Sequence, residues 1–251
     1  MSAILLEFVK LKRSLSWAVV VVLPVTMVVA GSVSTAVSDG FSDGWHTLWI
    51  RSIGFYGMAV VSAGIAILAS LVWRVEHRGG NWNALMSGTR PTWTIVAGKT
   101  AAVSILAAVM QLVLLLTVVV LGKVAFGLPG MLPGTYVVTS LLIAVAQIPV
   151  AALQSALSTF IRSFAVPVAL ALVLTGVGTM ALLLKVPAAF LLPQALLTQT
   201  TQIGSRMQMT SFTVTDLSLG SSATTVVTSL VLAAAVIAIT AAVLDRTDSR
   251  V

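Results

Sequence analysis

Gly98-Lys99-Thr100 has the form of the end of a phosphate-binding loop. Such a loop cradles phosphates with the backbone amides of a glycine-rich turn and reaches them with the lysine, and it requires a glycine five residues before Gly98. Position 93 is Trp, so self-contained nucleotide binding is excluded. Asp39 and Asp43 stand four apart in the doubled unit Asp39-Gly40-Phe41-Ser42-Asp43-Gly44. A calcium loop needs about six or more oxygens in fixed order, so this unit reads as a turn-rich loop. The chain has no cysteine, which removes disulfides, thiolate zinc sites and cysteine nucleophiles together. His46 and His77 are the two histidines, and the topology below puts them on opposite membrane faces, so no shared metal site is expected. No Ser/His, paired-Asp or HExxH constellation is present for an intramembrane enzyme.

What remains is a segment rich in interaction chemistry, from Glu76 to Arg90. It gathers Glu76, His77, Arg78 and Arg90 around apolar Trp82, Leu85 and Met86. Trp82, Leu85 and Met86 are spaced so that a short helix would present them on one face. One reading is a docking helix for a soluble partner; the other is a solvated connection. Ser158 to Ser163, with Arg162, forms a second tight turn on the same side and a weaker contact candidate.

The elements that position these segments are membrane helices. Of 251 residues, 58% are apolar and only 8% charged, against roughly 25% charged in soluble domains. The apolar residues form runs long enough to cross about 30 Å of hydrocarbon. Six spans are predicted, at about 17–37, 53–73, 95–121, 136–157, 164–184 and 223–244. Helices suit these runs, since a barrel would show short alternating strands. The fold class expected is therefore an all-α membrane protein, a six-helix bundle in one domain. Residues 1–14 predict an amphipathic helix in the interface plane, with Ile4, Phe8, Leu11 and Leu15 on one stripe, and Trp17 anchors the next helix at headgroup level. The run from Trp17 to Val37 is long for the core of a signal peptide.

With the N-terminus inside, ten of the 14 basic residues are cytoplasmic: Lys10, Lys12, Arg13, Arg74, Arg78, Arg90, Lys99, Arg162, Arg246 and Arg250. Arg51, Lys123, Lys185 and Arg206 are external, in the loops 38–52, 122–135 and 185–222. This bias places both termini in the cytoplasm of a cell whose inner membrane holds the chain. The net charge of +7 is then an orientation signal at helix ends, not the concentrated basic face that nucleic acid requires. Lys99, near the start of span three, is expected to snorkel to the interface as an anchor. Trp45 and Trp49 mark the outer interface.

Val186 to Leu197 is apolar, too short to span and broken by Pro187 and Pro193, so 185–222 reads as a partly buried external cap with a re-entrant piece. Ser62, Ala66 and Ser70 form a small-residue stripe, for a subunit interface or for packing within one bundle. Gln111, Gln147 and Gln154 are the sparse polar groups at depth, read as glue between helices. No Asp or Glu lies at mid-membrane, which argues against an ion-driven carrier and for an external energy source acting on an apolar or amphipathic cargo.

An acidic residue, a small-residue turn, a Leu-rich turn, a basic residue and a lysine opening the next helix follow in order as Glu76, Gly79-Gly80, Leu85-Met86, Arg90 and Lys99. This pattern resembles the membrane subunits of ABC-2-type transporters, nearest the lantibiotic-immunity and bacitracin-resistance permeases. The interfacial helix, six spans and cap between spans five and six are also similar to that family. Those permeases often carry a proline just before the basic residue; here Pro91 follows Arg90. The resemblance implies that 76–90 is a coupling helix seated in a separate ABC ATPase subunit, through Glu76, Arg78, Trp82, Leu85, Met86 and Arg90. Glu76 would pair with a basic residue of that subunit or with Arg78. It implies a second permease subunit as partner, identical or related, with membrane lipid around both. ATP and magnesium would be bound by the ATPase, and no cofactor or metal by this chain. The cargo implied is an amphipathic peptide antibiotic or similar hydrophobic compound, exported. The alternatives are another cargo, such as a drug, lipid or glycan, and a membrane immunity or structural protein that does not transport.

Overall fold

The computed structural model describes residues 14–37, 43–77, 82, 91–203, 205–208, 211–214 and 219–248. Among these, five helices are long and apolar enough to cross a membrane. They are α1 (Ser16–Val37), α4 (Thr92–Val120), α5 (Gly134–Phe160), α6 (Ala165–Leu183) and α8 (Leu219–Asp248). Many of their residues are valine or threonine, weak helix formers in water. In hydrocarbon every backbone polar group must be satisfied internally, so the helix wins regardless. The hydroxyls are absorbed the same way: Ser32, Thr35, Thr159, Thr175 and Thr240 each donate to the carbonyl four residues back. Pro91 and Pro133 immediately precede α4 and α5, where a fixed φ suits a helix start.

Between α1 and α4 runs a further helix with a π turn inside it. α2 (Trp45–Phe55, 11 residues), the π turn Tyr56–Val60 (5 residues) and α3 (Val61–Arg74, 14 residues) follow without a break. At 1.5 Å per residue the run is about 45 Å long. The hydropathy run predicted a start near 53; α2 carries the helix outward through Trp45, His46 and Arg51.

The core centres on α5. Its membrane-length window is 61% buried, against 22% for α6 and for α8. It packs against α3, α4 and α8. Gln111 Nε2 on α4 donates to Ser140 Oγ on α5 at 3.2 Å, so this glutamine does join two helices. Gln147 and Gln154 are also fully buried on α5. Ser62, Ala66 and Ser70 are buried within the chain, on a helix that packs against α5 and α6, which makes the stripe a packing seam of one bundle. α1 meets α2 so closely that a Cβ on Gly31 would lie 2.8 Å from the backbone nitrogen of Ser52.

After α6 the chain forms a short 3-10 turn, Ala189–Leu191, then α7 (Pro193–Thr201). Nearly every residue of α7 is buried, and it packs against α5 and α6. Its approach to α6 requires Gly178, where a Cβ would stand 2.9 Å from the Ala195 backbone. Two strands follow, β1 (Ser205–Gln208) and β2 (Ser211–Val214), paired antiparallel with Ser205 opposite Val214. The sequence reading of 185–222 as a partly buried cap with a re-entrant piece named no strands; the hairpin is an addition to the expected all-α bundle. The predicted interfacial helix lies outside the described residues, apart from Ser14, while Trp17 lies in the first turn of α1 and is 41% exposed.

Candidate functional site: the end of the bundle where α3, α4, α5 and α6 meet

α3 ends at Arg74, and the next turn curls back, with the amides of Glu76 and His77 both donating to the Trp73 carbonyl. This turn aims the Glu76 carboxylate at α4. There Lys99 Nζ donates to Glu76 Oε1 at 3.0 Å, with the two side chains 1% and 4% exposed. Lys99 also lies over the Trp73 ring, 5.0 Å from its centroid. One sequence expectation is corrected here. Lys99 does not snorkel: a carboxylate within reach and an indole above it make a buried position tenable for the ammonium. Glu76 is paired with Lys99; its expected pairing with Arg78 falls on a residue outside the described ones. Ion pairs at this depth are tolerated only when geometry offsets the loss of hydration.

The same turn places His77 against α5. His77 Nε2–H donates to the Ser158 carbonyl at 2.8 Å. That carbonyl is in the last turn of α5, where helices leave acceptors unsatisfied. Ser70 and Ser158 hydroxyls approach to 3.3 Å beside it. Trp82 stacks on His77, with centroids 5.5 Å apart and planes 10° from parallel, and stands 6.3 Å from Trp73. Glu76, His77 and Trp82 are thus tied to α3, α4 and α5 by one ion pair, one imidazole and a row of rings. Trp82 is half-buried on these rings. Arg78, Leu85, Met86 and Arg90 lie outside the described residues.

Between the end of α3 and the α5–α6 turn is a cleft of about 120 Å³. Ser70, Arg74, His77, Ser158, Arg162 and Ser163 supply its polar lining, and Ile161 and Phe164 its apolar rim. Arg74 and Arg162 are both exposed. Of these the sequence reading had named Arg162 as a contact candidate, His77 within the interaction segment and Ser70 in the small-residue stripe; Arg74 appeared only as a helix-end charge and Ser158 only as a turn residue.

The opposite end is built from neutral rings. Trp45 Nε1–H donates to the Pro129 carbonyl at 2.8 Å, and Lys123 lies 5.9 Å from the Trp45 ring while donating to the Leu128 carbonyl. Trp49 stacks on Tyr136 at 5.1 Å, and His46 Nδ1 hydrogen-bonds to the Tyr136 hydroxyl. Trp45 and Trp49 are therefore packed into the fold, 7% and 1% exposed. His46 contacts the start of α5 and His77 its end, so about 33 Å of helix separates the two. Among the described residues no three His, Asp or Glu side chains cluster as a metal site.

Chemically, the Glu76 end can bind and transmit, through charge and rigid connections to three helices. The family model for ABC-2 family transporter protein matches residues 3–178. No curated protein and no solved structure matches the chain. The matched region holds α1 through most of α6, including Glu76, Lys99, Trp82 and Arg162, and it covers well over half of the sequence. The chain belongs to the ABC-2 transporter family and is an integral membrane component of an ABC transporter.

Proposed function

We propose that the chain is the permease subunit of an ABC exporter, and that residues 76–90 are its coupling contact with a separate ATPase subunit. The observation that carries this reading is the Glu76–Lys99 pair, which ties the start of the segment to α4 while His77 ties it to α5. A push on a segment held this way moves helices as rigid bodies, as alternating access requires. A loop attached only at its two ends would absorb the push instead.

In this reading the continuous helix from Trp45 to Arg74 carries the sixth span, at about 53–73, and the Glu76 end faces the cytoplasm with both termini. Two permease subunits, identical or related, sit on two ATPases that bind ATP and magnesium. α7 is a re-entrant element on the outer side. The cargo is an amphipathic peptide antibiotic or a similar hydrophobic compound, consistent with the lack of any acid at mid-membrane.

The test uses single cysteines in a chain that has none, and a tagged chain from its native membrane. An impermeant thiol reagent on intact cells should label position 40 and spare 80 and 248. An ATP-binding cassette subunit should co-purify, with ATPase activity that depends on this chain. Trp82→Ala should weaken that association by roughly tenfold or more, as truncating an aromatic anchor does. Asp39→Ala should leave it unchanged. Labelling at 80 or 248 refutes the orientation. Absence of any such ATPase favours a non-transporting immunity protein.

A further inference from the structure

Apart from Arg162 as the weaker contact candidate and His77 as a tie to α5, the cleft beside the coupling segment has no part in the docking described above, and its chemistry is one-sided. Arg74 closes α3, Arg162 and Ser163 lie on the α5–α6 turn, and His77, Ser70 and Ser158 complete the lining. Two guanidinium groups, an imidazole and three hydroxyls converge, and among the described residues no carboxylate lines the cleft. Neither arginine makes an ion pair with another described residue. α6 begins at Ala165, one residue beyond Phe164 of the rim, so the positive end of its dipole adds to the same field.

We infer that this cleft binds the phosphate group of an anionic ligand, either a phospholipid headgroup or free phosphate. The cleft's volume of about 120 Å³ equals roughly four waters at about 30 Å³ each, enough for one phosphate with part of its hydration. Guanidinium pairs match the oxygens of phosphate in bidentate geometry, which makes arginine the residue suited to that anion. Position favours the lipid source. The cleft lies at helix ends, where basic pockets between membrane helices take lipid headgroups. Its apolar rim at Phe164 leads onto the outward face of α6, where Val166, Val173, Val177 and Met180 are 43%, 60%, 52% and 62% exposed. A headgroup in the cleft would leave its acyl chains along that face. The inference needs only the bilayer, and stands or falls separately from ATPase coupling.

The experiment uses the full chain in phosphatidylcholine nanodiscs, with or without phosphatidylglycerol, and in detergent with inorganic phosphate. Native mass spectrometry counts retained phosphatidylglycerol, and thermal unfolding reads the phosphate response. The parent should retain phosphatidylglycerol at least about tenfold better than Arg74→Gln/Arg162→Gln, the loss expected when charge-assisted contacts to phosphate are removed. Arg162→Gln alone, on the exposed turn, should lose several-fold and serves if the double variant does not fold. Charge-dependent retention of the lipid without a phosphate shift assigns the headgroup. An arginine-dependent shift with phosphate, without lipid retention, assigns the free anion. Equal retention and equal phosphate response in parent and variants overturn the proposal. So does loss of ATPase co-purification alone, since the arginines would then serve an acidic protein partner.

Discussion

The two ends of the bundle solve the same problem with different chemistry. At one end Trp45, Trp49, Tyr136 and His46 close α2 against α5 through rings and hydrogen bonds of neutral groups, with Lys123 resting on a ring face. At the other, Glu76 and Lys99 are buried as a charged pair, while Arg74 and Arg162 stand exposed around a cleft. Ring packing is stabilising and asks nothing of a partner. A buried ion pair is a poor way to gain stability, since apolar replacements often do as well. Its retention fits an end that must keep one fixed geometry under load, with charge held beside it for something else to meet.

Breaking each end should show this difference, and the ion pair should give the larger effect. Lys99→Met or Glu76→Gln leaves one buried charge without its partner, which costs roughly 3–5 kcal/mol. The double variant Glu76→Gln/Lys99→Met removes both charges and should unfold closer to the parent than either single variant. Detergent-based denaturation of the four proteins measures this. Additive losses would mean that the two side chains act independently, against the paired geometry. The other end should respond weakly, and to pH. Burial holds the His46 imidazole below its ordinary value of 6.5, against the opposing pull of Asp43. The folded state therefore prefers the neutral ring. His46 contributes stability above its ordinary value and loses it as pH falls through the lowered folded value. His46→Gln should flatten that decline. A decline unchanged in His46→Gln would assign the pH dependence elsewhere.

The parts of the fold visible in the sequence were those that lipid enforces. α1, α4, α5, α6 and α8 coincide with apolar runs, since hydrocarbon leaves such runs no alternative to a helix. α2 was not legible because His46, Arg51 and Ser52 lower its hydropathy, so no long apolar run announces it. The hairpin was signalled by Met207, Met209, Phe212 and Val214 alternating with polar residues, a period of two that a reading tuned to spans passes over. At the site, Glu76, Trp82 and Arg162 could be singled out by type and place. Their geometry could not. Glu76 and Lys99 are 23 residues apart, and each had a sufficient local explanation, the one as a loop acid and the other as a snorkelling lysine. Only the back-turned Val75–His77 segment brings them together.

The central claim is that the Glu76 end meets the ATPase and the aromatic end does not. A photo-reactive phenylalanine analogue at position 82 keeps an aromatic ring on His77, and the same group at exposed position 43 probes the other end. After irradiation of native membranes, the account predicts a covalent adduct with the ATP-binding subunit from position 82 and none from position 43. An adduct from position 43, or from neither position in a complex that still hydrolyses ATP, would contradict it.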